Sequence, residues 1–218
     1  MLSTPIPDTV YNEIEYHAAQ PTTQITLRSL YEYARAPDEN TYLRAAQFLH
    51  REMPIRLAKK VKELEDVPDG LSQSRHIQIV RDWYIRSFRD IVEFPYPKTP
   101  EDESDFSEMV GRIKDRHRNQ VAVMARGIRE YLDKEKLKEP SLELQNFLDS
   151  FFLSRIGIRV LLGHHAASHH LREGWVGIIC AHTSIHDVAK EAEDLAGQIC
   201  RETYGDPPRV KYHGKLNL

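Results

Sequence analysis

Read for its apolar positions, the chain is helical from about Thr26 to Leu162 and changes character after that. Leu49, Met53, Leu57 and Val61 recur at steps of four in "ENTYLRAAQFLHREMPIRLAKKVKEL". Such a stripe is the buried face of an amphipathic helix. Pro54 lies inside it, lacks the backbone donor, and predicts a kink. "PDG" at 68–70 reads as a turn. Ile77, Val80, Tyr84, Ser87, Ile91 and Phe94 form the stripe of the next helix. A proline-rich acidic loop follows, "PYPKTPEDESD". Phe106, Val110, Ile113, His117, Val121, Met124, Ile128 and Leu132 then predict one long helix closed by "KEP". Leu144, Leu148, Phe151, Arg155, Ile158, Leu162 and His165 mark the last of the set. A shorter helix is expected in "LRSLYEYARA", and residues 1–25, weakly patterned and acidic, read as an N-terminal arm. Long amphipathic helices with modest connections predict a mainly α fold, a four-helix bundle occupying residues 26–170.

Beyond the bundle the periodicity shortens. "WVGIICAH" reads as a strand. "TSIHDVAKEAEDLAGQICRETYG" reads as a helix with a Ser184–Asp187 capping box and Gly205 as its C-cap. "PPRVKYHG" reads as a second strand. A strand, a helix and a strand cannot bury a sheet by themselves. Residues 171–218 are therefore expected to be the incomplete start of an α/β domain.

Composition narrows the function classes. The 218 residues are 40% hydrophobic and 29% charged with a formal net charge of −3. That balance suits a globular domain and gives no reason to expect nucleic acid as a partner. No apolar run reaches the roughly 20 residues of a membrane span. Two cysteines, Cys180 and Cys200, make no disulfide framework and read as packed thiols in a reducing compartment. The first 27 residues hold no Lys or Arg, so neither a signal peptide nor a transit peptide is expected there.

The informative residues are polar ones on apolar stripes. Arg155 occupies a stripe position and Arg159 follows one turn later; His117, Tyr84 and Ser87 do the same on other helices. A guanidinium taken out of water needs a counter-charge. One reading is an internal ion pair with Asp149, Glu143 or an acid of another helix, since structural pairs outnumber sites. The other is a pocket in which the arginines clamp a small carboxylate among Ile and Leu side chains. The histidines at 164, 165, 169 and 170 read first as a solvated helix end favoured by the C-terminal dipole. His165 and His169 have the i, i+4 spacing of metal ligands, with Cys180 and His182 as further candidates. The run lacks the Glu of H-E-x-x-H, however, and the helix is expected to end near Gly163. A phospho-acceptor histidine is a third reading, and nothing singles one out. "EDESD" at 101–105 reads as a solvated loop and helix cap.

Several blocks together resemble one family. "LHREMPIRLAKKVKEL", "WYIRSFRDIVEFP", "DRHRNQVAVMARGIREY", "FLDSFFLSRIGIRVLLGHH" and "WVGIICAHTSIHDVAKEAEDLAGQICRETYGDPPRVKYHG" are similar, in order, to the N-terminal part of the mitochondrial 2-oxoacid dehydrogenase kinases. The last block is closer to the branched-chain member than to the pyruvate members. The resemblance implies a Ser/Thr kinase of the histidine-kinase-like ATPase fold, located in the mitochondrial matrix. Such kinases phosphorylate and inactivate the E1α subunit of a 2-oxoacid dehydrogenase complex. They dock on the lipoyl domain of its E2 core and generally form homodimers. It further implies an effector pocket for a small 2-oxoacid, whose matching positions are Leu57, Tyr84, Ser87, His117, Ser154, Arg155, Ile158, Arg159 and Leu162. ATP and Mg²⁺ are cofactors of the full-length family. The catalytic acid and Mg²⁺-holding Asn of its "E-L-x-K-N-A" helix, and the glycine-rich lid, have no counterpart in these 218 residues. No catalytic residue, metal site or cofactor site is therefore assigned, and the chain alone is expected to be inactive. The alternative is a non-catalytic interaction or histidine-phosphotransfer-like helical bundle.

Overall fold

A computed structural model describes residues 7–35, 38–170 and 172–213; the start of the expected arm and the end of the expected second strand lie outside them. The described chain is mainly helical, with one two-stranded antiparallel sheet. The helices are α1 (Asp8–Ala18), α2 (Leu27–Ala34), α3 (Glu39–Glu65), α4 (Arg75–Val92), α5 (Pro100–Arg116), α6 (Gln120–Glu135), α7 (Leu142–Ser168) and α8 (Ile185–Tyr204). A 3-10 helix, Pro68–Gln73, replaces the expected turn between α3 and α4.

Helix α3 is central and packs against α1, α4, α5 and α7, while α4 also holds α6 and α5 also holds α7. It runs through Pro54 as one helix, and its stripe is fully buried: Met53, Leu57 and Val61 have no exposed surface. Burying side chains of this size stabilises by roughly 1.5–3 kcal/mol each. Starts are fixed locally. Asp38, Thr99 and Ser141 accept from the backbone N–H groups of Thr41, Asp102 and Leu144, and Thr99 with Asp102 completes a capping box.

Four sequence expectations are corrected. Residues 8–18 are not an unpatterned arm but a helix, α1, that buries Ile14 against α3. Its connection to α2 is tied down by Glu52, which accepts from the Thr23 N–H at 3.0 Å and from Arg56 Nε at 2.8 Å. The single helix expected over 106–132 is broken at His117–Asn119, giving α5 and α6. The break rotates the register: α6 buries Gln120, Met124 and Gly127, and stripe member Val121 is exposed. Helix α7 continues past Gly163 to Ser168, because neither Gly163 nor the histidines stop it and both His164 and His165 are buried.

The fourth correction concerns the C-terminal segment. "WVGIICAH" is not one strand but a hairpin in which Trp175–Val176 pairs with Ile179–Cys180 across Gly177, whose φ is +58°. Residues 207–213 form no strand. Ser184 does cap α8 by accepting from the Asp187 N–H, and Gly205 ends it at φ +94°. Helix α8 buries none of its residues; Val188, Leu195 and Ile199 are more than half exposed.

Candidate functional site

The α5–α6 break, α4 and α7 bring a set of polar side chains together in the interior. Tyr84 and Ser87 project from α4, one turn apart, and are essentially without exposed surface. His117 caps α5 and is buried by the same packing. Gln120, the first residue of α6, is wholly buried and joins the group. Ser87 Oγ lies 2.9 Å from His117 Nε2, and Gln120 Nε2 donates to the Tyr84 hydroxyl at 2.9 Å. From α7, Arg155 Nε donates to Gln120 Oε1 at 3.3 Å. Arg116 closes the network, donating to Ser87 Oγ at 2.7 Å and to Asp90 Oδ2 at 2.6 Å.

The network accommodates a neutral imidazole. Ser87 Oγ accepts from Arg116 and has its own proton to donate to His117 Nε2, an assignment that puts the ring proton on Nδ1, facing Gln120 Oε1 at 3.4 Å. Burial pushes the His117 pKa down to about 4, opposed by the Gln120 hydrogen bond and reinforced by Arg116, Arg155 and Arg159. The imidazole is neutral at physiological pH.

The positive charge is on the arginines. Arg155 is half-buried, and burial lowers its pKa, with the neighbouring Arg159 charge adding to the effect. Arg159 is exposed. Both line a cavity of about 620 Å³ on the α7 surface with Lys114, His170 and Ile178. Among the described residues neither Arg155 nor Arg159 has a carboxylate partner, so the internal ion pair with Asp149 or Glu143 is not formed. The ion pair beside the cluster is Arg116–Asp90, which is part-exposed.

Of the sequence candidates, Tyr84, Ser87, His117 and Arg155 meet through Gln120. Leu57, Ile158 and Leu162 belong to the apolar core. Ser154 does not join; its hydroxyl donates back to the Ser150 carbonyl at 2.8 Å within α7. Gln120 and Arg116 were missed by sequence. Gln120 falls off the stripe that an unbroken helix implies, and Arg116 looks like an ordinary last-turn cation. The one available signal was their adjacency to His117 in "DRHRNQ".

A second, apolar cavity of about 520 Å³ lies between α2, α3 and α7, walled by Ile25, Leu30, Tyr33, Phe48, Leu161 and His165. A second polar cluster, Glu103 and Ser107 of α5 with His165 and His169 of α7, links those two helices at the edge of that cavity.

The architecture and the interior cluster define a helical domain with unneutralised guanidinium charge beside a buried neutral histidine. A family model described as "Mitochondrial branched-chain alpha-ketoacid dehydrogenase kinase" matches residues 24–180. A pyruvate dehydrogenase (acetyl-transferring) kinase, mitochondrial, of Arabidopsis thaliana is 38% identical over 211 residues, covering 95% of this chain and 57% of the relative. Isozyme 4 of the same kinase from Rattus norvegicus is 32% identical over 211 residues, covering 93% and 50%. The Homo sapiens isozyme 4 is 31% identical over the same shares. The chain belongs to the mitochondrial 2-oxoacid dehydrogenase kinase family. It spans about half the length of the curated relatives it matches. The relatives are mitochondrial kinases by name, and no described helix is long and apolar enough to cross a membrane.

Proposed function

We propose that this chain is the effector-receiving, four-helix-bundle part of a kinase that phosphorylates E1α and so inactivates a 2-oxoacid dehydrogenase complex in the mitochondrial matrix. The observation that carries the proposal is Arg155. It is a half-buried guanidinium with a cationic neighbour, no carboxylate partner among the described residues, and a neutral amide oxygen as its hydrogen-bond acceptor. A cation so placed favours an anion, and arginine's planar fork matches a carboxylate. Arg155 and Arg159 lie one helical turn apart and can both reach one small acid. Tyr84, Ser87 and His117 set the polar lining through Gln120, and Leu57, Ile158 and Leu162 form the apolar part of the core. Ser154 stands at the rim by sequence match alone.

The acid is a 2-oxoacid. The family model bears the branched-chain name and the reported relatives bear the pyruvate name, so the two differ only in the acid's side chain. The sequence blocks favour the branched-chain acid. The lipoyl domain of E2 is the docking partner. The apolar cavity beside α2 is the part of the described surface suited to a thin, largely apolar lipoyl arm. ATP and Mg²⁺ act in the longer kinase, whose α/β domain residues 171–218 begin. Homodimerisation is part of the same reading.

Calorimetry with pyruvate and with a branched-chain 2-oxoacid, on wild type and Arg155→Met, is the test. Saturable binding of either acid that Arg155→Met weakens supports the reading, and the tighter acid names the complex. Absence of binding at millimolar concentrations of both would favour the non-catalytic or histidine-phosphotransfer bundle instead.

A further inference from the structure

We infer that Glu103, His165 and His169 form a binding site for a divalent transition-metal cation of the zinc class, with the Ser107 hydroxyl or a water in the fourth position. The ligands come as two i, i+4 pairs, one on each of two facing helices. Glu103 and Ser107 lie on one face of α5. His165, in the last turn of α7, and His169, its C-cap, lie on the face of α7 that meets them. The three metal-binding atoms converge within 4.8 Å of one another. Glu103 Oε1 is 3.0 Å from His169 Nε2 and 3.4 Å from His165 Nε2. Four ligands at the usual zinc distances of about 2.0–2.1 Å stand about 3.3 Å apart, so these edges already fit. Ser107 Oγ sits closer, 2.7 Å from both Glu103 Oε1 and His165 Nε2 and 3.3 Å from His169 Nε2. A rotation of that hydroxyl opens the fourth position.

Burial sharpens the chemistry. The Glu103 side chain is 8% exposed and that of His165 is 3% exposed, while His169 at 26% gives an ion a way in. A nearly buried carboxylate that faces two imidazole nitrogens within 3.4 Å offers a negative charge and two further donors to a dication. Two imidazoles and one carboxylate with an open position are the N/O donor set of zinc and its first-row neighbours, and the wrong set for calcium or magnesium. Outer contacts orient the ligands: the His169 ring stacks on Tyr42 with centroids 4.5 Å apart, and the Tyr42 hydroxyl donates to the Ser168 carbonyl at 2.9 Å. The ion would staple α5 to α7 at the wall of the apolar cavity, which Tyr42 and His165 both line. None of these residues belongs to the Arg155 cluster, so the two sites stand or fall separately.

The probe is Zn²⁺ added to the chelator-treated 218-residue chain, followed by calorimetry and by Co²⁺ substitution with visible absorption. The expected result is one ion per chain, an intense Co²⁺ ligand-field band of a low-coordinate site, and a higher unfolding temperature with metal. His169→Ala, at the exposed edge, and Glu103→Gln are each expected to weaken binding at least 10- to 100-fold. His170→Ala, the neighbouring histidine outside the cluster, is expected to change little. Should Glu103→Gln fail to fold, His169→Ala alone decides. Absence of stoichiometric binding, or binding that survives His169→Ala, would overturn the site and leave the cluster as a hydrogen-bonded clamp between helices.

Discussion

At the residue scale, the interior cluster is governed by one neutral histidine and one unneutralised arginine. His117 titrates near 6.5 in an unfolded chain and at about 4 here. Between those values the unfolded state binds more protons, so stability falls as pH drops from about 6.5 to about 4 and changes no further below that on this account. The shift corresponds to on the order of 3 kcal/mol. Urea unfolding of wild type and His117→Gln at pH 7 and pH 4.5 reads it: wild type should lose more stability than the variant, and equal losses would remove the buried-neutral assignment. Arginine 159 provides the companion test. Arg159→Met should fold normally, since the side chain is exposed and bonds to nothing among the described residues. Its affinity for a 2-oxoacid should drop roughly 10- to 150-fold, the worth of one charged hydrogen bond. Thermal unfolding with and without the acid measures both. A variant as strongly stabilised by the acid as wild type would take Arg159 out of the site.

At the element scale, sequence periodicity was legible wherever a helix kept its register. The α3 stripe and most of the α4 and α7 stripes are buried as read, including Tyr84, Ser87, Ile158 and Leu162, while Phe94, Leu148 and Arg155 are half-buried. It failed at 117–119, where "HRN" contains neither Gly nor Pro to announce a break, and with it went Gln120. It failed again at Glu103, because an acid in "EDESD" looks solvated until α7 is known to run on and bring His165 against it. Local pattern reports which face is apolar; it does not report which polar groups a second helix will satisfy. The α4–α6 contact gives a direct test of packing. A Cβ at Gly127 would stand 2.8 Å from His76 Cβ, a contact that no flexible chain end can relieve. Gly127→Ala gains helix propensity of up to about 1 kcal/mol yet should destabilise on balance, since overpacking costs about 1–3 kcal/mol. A higher melting temperature for the variant would show that the two helices separate more easily than their spacing implies.

At the scale of the whole molecule, protection should divide along the chain. The core residues of α3, α4, α5 and α7 belong to one apolar cluster, whereas α8 buries none and the hairpin has two residues per strand. Local opening free energy follows burial and contact density. Amide exchange should therefore be slow in α3 and α4 and fast from Val176 onward. Equal protection in α8 would mean that its apolar face, Val188, Leu195 and Ile199, is covered in solution by another chain.

The break between α5 and α6 acts as a joint in what the periodicity reads as a single rod. Its three residues separate arms of 17 and 16 residues, and its first residue, His117, with the flanking Arg116 and Gln120, are those bonded to Ser87, Tyr84 and Arg155. Each arm is about 25 Å long at the helical rise per residue. A swing of about 5° at such a joint would move the far end of an arm by about 2 Å. On the proposed effector reading, the binding of an acid of a few atoms beside this joint would be levered into displacements at surfaces it never touches.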